Sequence, residues 1–172
     1  MKIFVASDIH GDAQKCRDIL DKYREEKADR LLLLGDILYH GPRNDLPSAY
    51  EPKKVIAMLN GIKDEILAVR GNCDTEVDQM VLEFPIMAEY IYIVSGDTVI
   101  FATHGHKYSE SNLPNIPEGG VFLYGHTHVA CDHTENGRRF MNPGSPSIPK
   151  NGTKPSYIII EDGDLTLKSL YN

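Results

Sequence analysis

The sequence predicts an α/β domain in which two β-sheets face each other and helices lie outside. Three observations carry this expectation. Residues 2–71 run strand, helix, strand, helix, strand, an order that implies right-handed crossovers and a parallel sheet. From residue 86 onward, short apolar runs are separated by Gly-containing turns, the pattern of added strands and hairpins. No linker, repeat or low-complexity tract interrupts the chain, so residues 1–172 read as one domain.

KIFVAS (2–7) is a short apolar run without alternation, which suits a strand buried on both faces. Asp12 is placed to cap a helix over 13–27, in which Cys16, Ile19, Leu20 and Tyr23 recur at helical spacing. RLLLLGD (30–36) is a second buried strand, and PKKVIAMLN (52–60) is a helix that opens on Pro52, a favoured first-turn residue. EILAVRG (65–71) is the third strand. Residues 86–105 hold two strands around Gly96-Asp97, and residues 119–144 hold three more with a turn at Asn136-Gly137. SYIIIEDGDLTLKSL (156–170) closes the chain as a hairpin around Asp162-Gly163.

Composition bounds the function. A chain of 172 residues can hide roughly 70% of its unfolded surface, enough for a sizeable core. A net charge of −7 argues against a broad basic nucleic-acid surface. A small anionic substrate stays open, because a bound metal can reverse the local sign. Cys16, Cys73 and Cys131 are scattered, with no CxxC pair, and read as reduced thiols of a cytoplasmic protein. The apolar part of the N-terminus is too short for a signal peptide, and no apolar run is long enough to cross a membrane.

The polar residues fall at strand ends. SDIH (7–10), GDILYH (35–40) and GNCD (71–74) follow the first three strands, and THGH (103–106) and YGHTH (124–128) follow two later ones. Ligands of parallel α/β sheets bind beyond the carboxyl ends of the strands, so these turns should meet. That brings Asp8, His10, Asp36, Asn72, His104, His126 and His128 to one point. Seven oxygen and imidazole donors exceed one ion and suit two, with one carboxylate bridging; Asp36 is the candidate bridge. Two divalent ions, two carboxylates and a bridging hydroxide leave a net charge of about +1, suited to an anionic phosphate. Asn72 coordinates without adding negative charge. Each short motif alone is more often a helix cap or loop; the force lies in five of them in this order.

These motifs resemble the signature of the calcineurin-like metallophosphoesterases: Asp8-Ile9-His10, Gly35-Asp36, Gly71-Asn72-Cys73-Asp74, His104-Gly105 and Gly125-His126-Thr127-His128. GDILYHGPRN, VRGNCDTEVDQM and NPGSPSIPK extend the likeness toward small bacterial phosphodiesterases of the YfcE type, over nearly the full length. The resemblance implies a four-layer αββα sandwich of two mixed sheets and a dinuclear site, most often filled by manganese, with zinc, iron or nickel as other occupants. By position, one ion would take Asp8, His10, Asp36 and His128, and the other Asp36, Asn72, His104 and His126. It also implies a phosphodiesterase acting on a small phosphodiester or nucleotide, with a bridging hydroxide as nucleophile, and a homodimer or homotetramer. The alternatives are a phosphomonoesterase with the same site and a non-catalytic metal-binding scaffold.

One departure stands out. The superfamily at large has His after the metal-binding Asn, where this chain has Cys73. A nucleophilic thiol is not needed beside an activated water, and no basic residue flanks it to lower its pKa. Cys73 therefore reads as occupying the place of a proton donor, with Asp74 holding the turn. His106 is the remaining candidate to contact phosphate or donate a proton; the plainer reading is an exposed or supporting His. Arg43 and His40, near HGPRN (40–44), are candidate substrate contacts or ordinary loop residues. Asn142 and Ser145 shape a turn under the site, and His133 faces solvent on a late strand.

Overall fold

The structure, a computed structural model, describes residues 1–171. In chain order it comprises β1 (Lys2–Ala6), α1 (Ala13–Glu25), β2 (Arg30–Leu33), α2 (Pro52–Asn60), β3 (Ile66–Ala68) and α3 (Glu76–Val81). β4 (Tyr90–Ser95), β5 (Thr98–Thr103), β6 (Val121–Leu123), β7 (Cys131–Glu135), β8 (Arg138–Asn142), β9 (Ser156–Glu161) and β10 (Asp164–Ser169) complete it. One sheet has the order β10-β9-β1-β2-β3 and the other β4-β5-β6-β8-β7. β1, β2 and β3 are parallel, and β9 joins β1 antiparallel. In the second sheet β5, β6 and β8 are parallel, with β4 and β7 antiparallel at the edges. Both sheets are mixed, as expected.

Local sequence explains the elements. The Asp12 carboxylate accepts from the Lys15 N–H and caps α1, whose buried stripe is Ala13, Cys16, Ile19, Leu20 and Tyr23. That stripe and α2 cover one face of the first sheet around Phe4, Leu31 and Leu33. The opposite face meets the second sheet in a core of Ile3, Val5, Leu32, Ile100, Leu123, Met141, Ile158 and neighbours. Full burial on both faces is why β1 and β2 show no alternation.

Three features differ from expectation. β2 stops at Leu33, because Gly35 and Asp36 turn into the left-handed region (φ 94° and 52°) and the chain leaves the ladder, and β3 stops at Ala68. α3 has no apolar stripe to announce it: Val77 and Met80 are exposed, and a Thr75/Asp78 capping box holds its start. The outer face of the second sheet carries no helix among the described residues. There Tyr108, Leu113 and Ile116, from the loop between β5 and β6, pack on Phe101, Phe122, Tyr124 and Phe140. The sandwich's fourth layer is thus a loop.

Candidate metal centre

The carboxyl ends of β1, β2, β3, β5 and β6 all open on one edge of the sandwich. Backbone bonds lock the turns that follow: Asp8 N–H to the Gly35 carbonyl at 3.1 Å, His10 N–H to Asp36 at 2.9 Å, and Gly125 N–H to His104 at 2.8 Å. Two glycines make the approach possible. A Cβ on Gly71 would lie 2.1 Å from Asp36 Oδ1, and one on Gly125 would lie 2.0 Å from Ser7 Oγ. Asp8, His10, Asp36, His126 and His128 all hold positive φ between 51° and 65°. Non-glycine residues are uncommon there and cluster at functional sites, where the fold holds strain in place.

Each carboxylate spends one oxygen on the scaffold and presents the other. Asp8 Oδ2 accepts from Ser7 Oγ at 2.6 Å and from the His126 N–H at 2.9 Å. Asp8 Oδ1, fully buried, receives no hydrogen bond and lies 3.3, 3.6 and 4.0 Å from Nε2 of His128, His10 and His104. Asp36 Oδ1 accepts from the Cys73 N–H at 2.8 Å, leaving Oδ2 at 3.5 Å from His104 Nε2 and 3.7 Å from His10 Nε2.

The imidazoles follow the same rule. Nδ1 of His10, His104 and His128 lies 2.7, 2.7 and 2.9 Å from the carbonyls of Tyr39, Leu34 and Ile148. A carbonyl only accepts, so each Nδ1 carries a proton and each ring turns Nε2 inward, the atom that is free to bind an ion once the ring is neutral. His126 points Nδ1 to within 3.2 Å of His104 Nε2, and Asn72 Oδ1 is 3.0 Å from the same atom. His10 and His128 face each other Nε2 to Nε2 at 3.0 Å.

Acceptors facing acceptors around an unpartnered buried carboxylate oxygen call for positive charge. In the ion-free chain protons supply it. Burial opposes the charged form of His104, but Asp8 and Asp36 outweigh it and push the imidazole up to about 9. Burial likewise opposes ionisation of Asp8, and His104, His10 and His128 overcome it, holding the carboxyl well below its usual range. Divalent cations would satisfy the same atoms with no proton. The donor set fits hard or borderline ions that accept imidazole and carboxylate.

Asp74 braces the centre. Its carboxylate accepts from the backbone N–H of Asp36, Ile37 and Gly71 at 2.8, 2.9 and 2.7 Å, tying the ends of β2 and β3 together. Ser145 Oγ donates to the Asp8 carbonyl at 2.7 Å and Asn142 Nδ2 to the Gly125 carbonyl at 2.7 Å, so the β8 turn does support the site. Cys73 is buried; its Sγ accepts from Asn72 Nδ2 at 3.3 Å and groups with His10 and Asp36 within ligand reach.

The predicted substrate residues divide. Arg43 lines an open cavity of about 380 Å³ beside the donors, with Asn44, Asn72, Cys73, Thr127 and Lys150. His40 is turned away from it, its ring edge-on to Tyr39 and Tyr50 at 4.6 and 5.3 Å. His106 stands 5.4 Å from His104 and 6.3 Å from His126 between ring centres, with a buried, unpartnered Nδ1. Burial, then His104 and His126, push it down to about 4, so it is neutral at pH 7. Lys150 and Ser7 were not singled out by sequence. Lys150 follows a run of turn residues, and only its N–H bond to the His128 carbonyl at 3.0 Å brings it to the cavity.

The family model of the calcineurin-like phosphoesterase superfamily domain matches residues 1–164. The chain belongs to this superfamily. It is 42% identical over 170 residues to the phosphodiesterase YfcE of Escherichia coli K12, covering 99% of this chain and 92% of that protein. The probable metallophosphoesterase YsnB of Bacillus subtilis 168 is 25% identical, covering 93% and 83%. The solved structure of E. coli YfcE superposes with a TM-score of 0.96, covering 99% of this chain and 94% of that one. As a superfamily member the chain is expected to use divalent ions, and the convergent donors match that requirement. Among the described residues no helix is long and apolar enough to cross a membrane.

Proposed function

We propose that this protein is a metal-dependent phosphodiesterase acting on a small phosphodiester or nucleotide. One observation carries the reading. Four imidazoles, two carboxylates and one amide converge with every inward atom left free of a scaffold bond, next to a cavity edged by two cations. One ion would be held by Asp8, His10, Asp36 and His128, and a second by Asp36, Asn72, His104 and His126. Manganese is the proposed occupant by likeness to the YfcE type; the carboxylate and amide oxygens suit it, and the imidazoles equally accept zinc, iron or nickel. When bound, the ions supply Lewis acidity toward phosphoryl oxygens and lower the pKa of coordinated water.

The chain's own groups do the rest. Arg43 and Lys150, exposed at the cavity edge, attract and orient the phosphate by charge-assisted hydrogen bonds. Asn72 offers its amide oxygen without lowering the site's positive charge. His106, neutral and within reach of the centre, can accept a hydrogen bond there but holds no imidazolium proton to give at pH 7. Substrates whose leaving groups need little protonation, such as aryl diesters, therefore suit this site best. Donors from both sheets make residues 1–172 a single catalytic domain in this reading. The three unpaired thiols are in keeping with a cytoplasmic enzyme. Likeness to the YfcE type favours a homodimer or homotetramer.

The deciding experiment is hydrolysis of an aryl phosphodiester by metal-depleted protein, before and after adding manganese, iron, zinc or nickel. Turnover that returns with metal and vanishes with chelator supports the proposal. Full turnover in excess chelator, or none with any of these ions, overturns it.

A further inference from the structure

A second cluster of metal-ligating side chains lies on the outer face of the second sheet and shares no residue with the centre. Its members are Glu110, Cys131 and His133, whose donor atoms all lie within 4.8 Å of one another. Cys131 and His133 sit two apart on the edge strand β7, so both project to the same face of the sheet. Glu110 arrives from the loop that forms the outer layer, and its Oε2 is 3.5 Å from His133 Nε2.

The surroundings hold this arrangement. His133 stacks on Phe140 with ring centres 5.2 Å apart and planes 15° from parallel, which fixes the imidazole plane. The Tyr124 hydroxyl donates to Glu110 Oε1 at 2.5 Å and lies 3.3 Å from Cys131 Sγ. With its single proton given to Glu110, that hydroxyl leaves the thiol to donate to its oxygen. Of the two cations on neighbouring β8, Arg139 is committed to Asp132 through two bonds of 2.8 and 2.7 Å, and Arg138 donates to the carbonyls of Ile116 and Asn136. Among the described residues, the Glu110 carboxylate forms an ion pair only with His133.

We propose that Glu110, Cys131 and His133 form an additional metal site for a single borderline-soft divalent cation of the zinc class. The ligand types decide the class. One thiolate, one imidazole and one carboxylate make a mixed tetrahedral set typical of zinc, and the soft sulfur selects against manganese or magnesium. Glu110 and His133 are exposed, so the fourth position belongs to solvent. On binding, the Cys131 S–H bond breaks, its proton passes to water and the sulfur lone pair forms the bond to the metal. Occupancy ties the outer-layer loop to the edge strand, the connection that no helix provides on this face.

The test uses the full chain, depleted of metal and titrated with zinc alone or with cobalt as a spectroscopic probe. Native protein is expected to bind one more zinc per chain than His133→Ala, a change at an exposed position that leaves the core intact. Cobalt should give a thiolate-to-metal charge-transfer band that survives Cys73→Ser and Asn72→Ala but disappears in Cys131→Ser. Equal zinc content in native protein and His133→Ala would overturn the site. A charge-transfer band lost in Cys73→Ser and kept in Cys131→Ser would do so as well, by assigning the sulfur ligand to the main centre.

Discussion

At position 73 the backbone matters more than the side chain. The Cys73 N–H holds Asp36 Oδ1 at 2.8 Å, while burial and then the Asp36 carboxylate push the thiol well above its ordinary range. A thiol that stays protonated at neutral pH is not a ready nucleophile, and soft sulfur is a poor match for a hard ion such as manganese. Cys73→Ser keeps the N–H and the size, so its steady-state diester turnover with manganese should stay within about tenfold of native, short of the loss typical of a missing general acid. Asn72→Ala and His104→Ala, by contrast, each remove an inward donor that nothing replaces. Their turnover should fall by on the order of 100-fold or more, as expected when a Lewis acid is displaced. A Cys73→Ser variant as inactive as Asn72→Ala, with its metal content unchanged, would make the thiol catalytic and defeat this view.

At the scale of elements, Asp74 joins two strand ends through three backbone N–H groups. Asp74→Ala strands three buried donors, each costing about 1–3 kcal/mol when unsatisfied. Even the lower end of that sum, about 3 kcal/mol, lowers the melting temperature of a chain this long by roughly 6–12 °C. Scanning calorimetry of the metal-depleted variant checks it, and a shift under a degree or two would show that water or other groups replace the carboxylate. Strand ends of this kind were the most legible feature of the sequence, because Gly followed by Asp, Asn or His after an apolar run combines turn chemistry with ligand chemistry. The α1 cap at Asp12 and the hairpins at Gly96, Asn136 and Asp162 were legible for the same local reason. What escaped depends on tertiary context. α3 exposes Val77 and Met80 and so lacks the periodicity that reveals a helix. The loop layer over Phe101 and Phe122 has no period at all. His40 and Arg43 looked equivalent as loop residues, and only packing against Tyr39 and Tyr50 turns His40 from the cavity.

For the whole molecule, the centre is a tie between sheets. Asp8, His10, Asp36 and Asn72 follow strands of the first sheet, and His104, His126 and His128 follow strands of the second. An ion binding both sets binds the folded chain alone, and at about 100–1,000 times its dissociation constant it stabilises that chain by roughly 3–4 kcal/mol. For this length the melting temperature should rise by about 6–16 °C on adding manganese to depleted protein. The size of the rise should depend on pH with a definite sign. In depleted protein His104 is raised to about 9 from its ordinary 6.5, so its pairing with Asp8 and Asp36 stabilises fully below about 6.5 and fades as pH climbs through about 9. Asp8 and Asp36 are held low, so their contribution is present above their ordinary range near 3.8 and fades only as pH falls below it. Between pH 6.5 and 9 the depleted chain therefore loses stability from His104. The loaded chain does not, because the ion requires the neutral ring and gains affinity as the proton leaves. The gap between the two melting curves should widen steadily across that window. In His104→Ala both the gap and its slope with pH should shrink. A gap that is constant or narrows from pH 6.5 to 9 in native protein would show that the ion does not displace the His104 proton, and that the tie between sheets is made elsewhere.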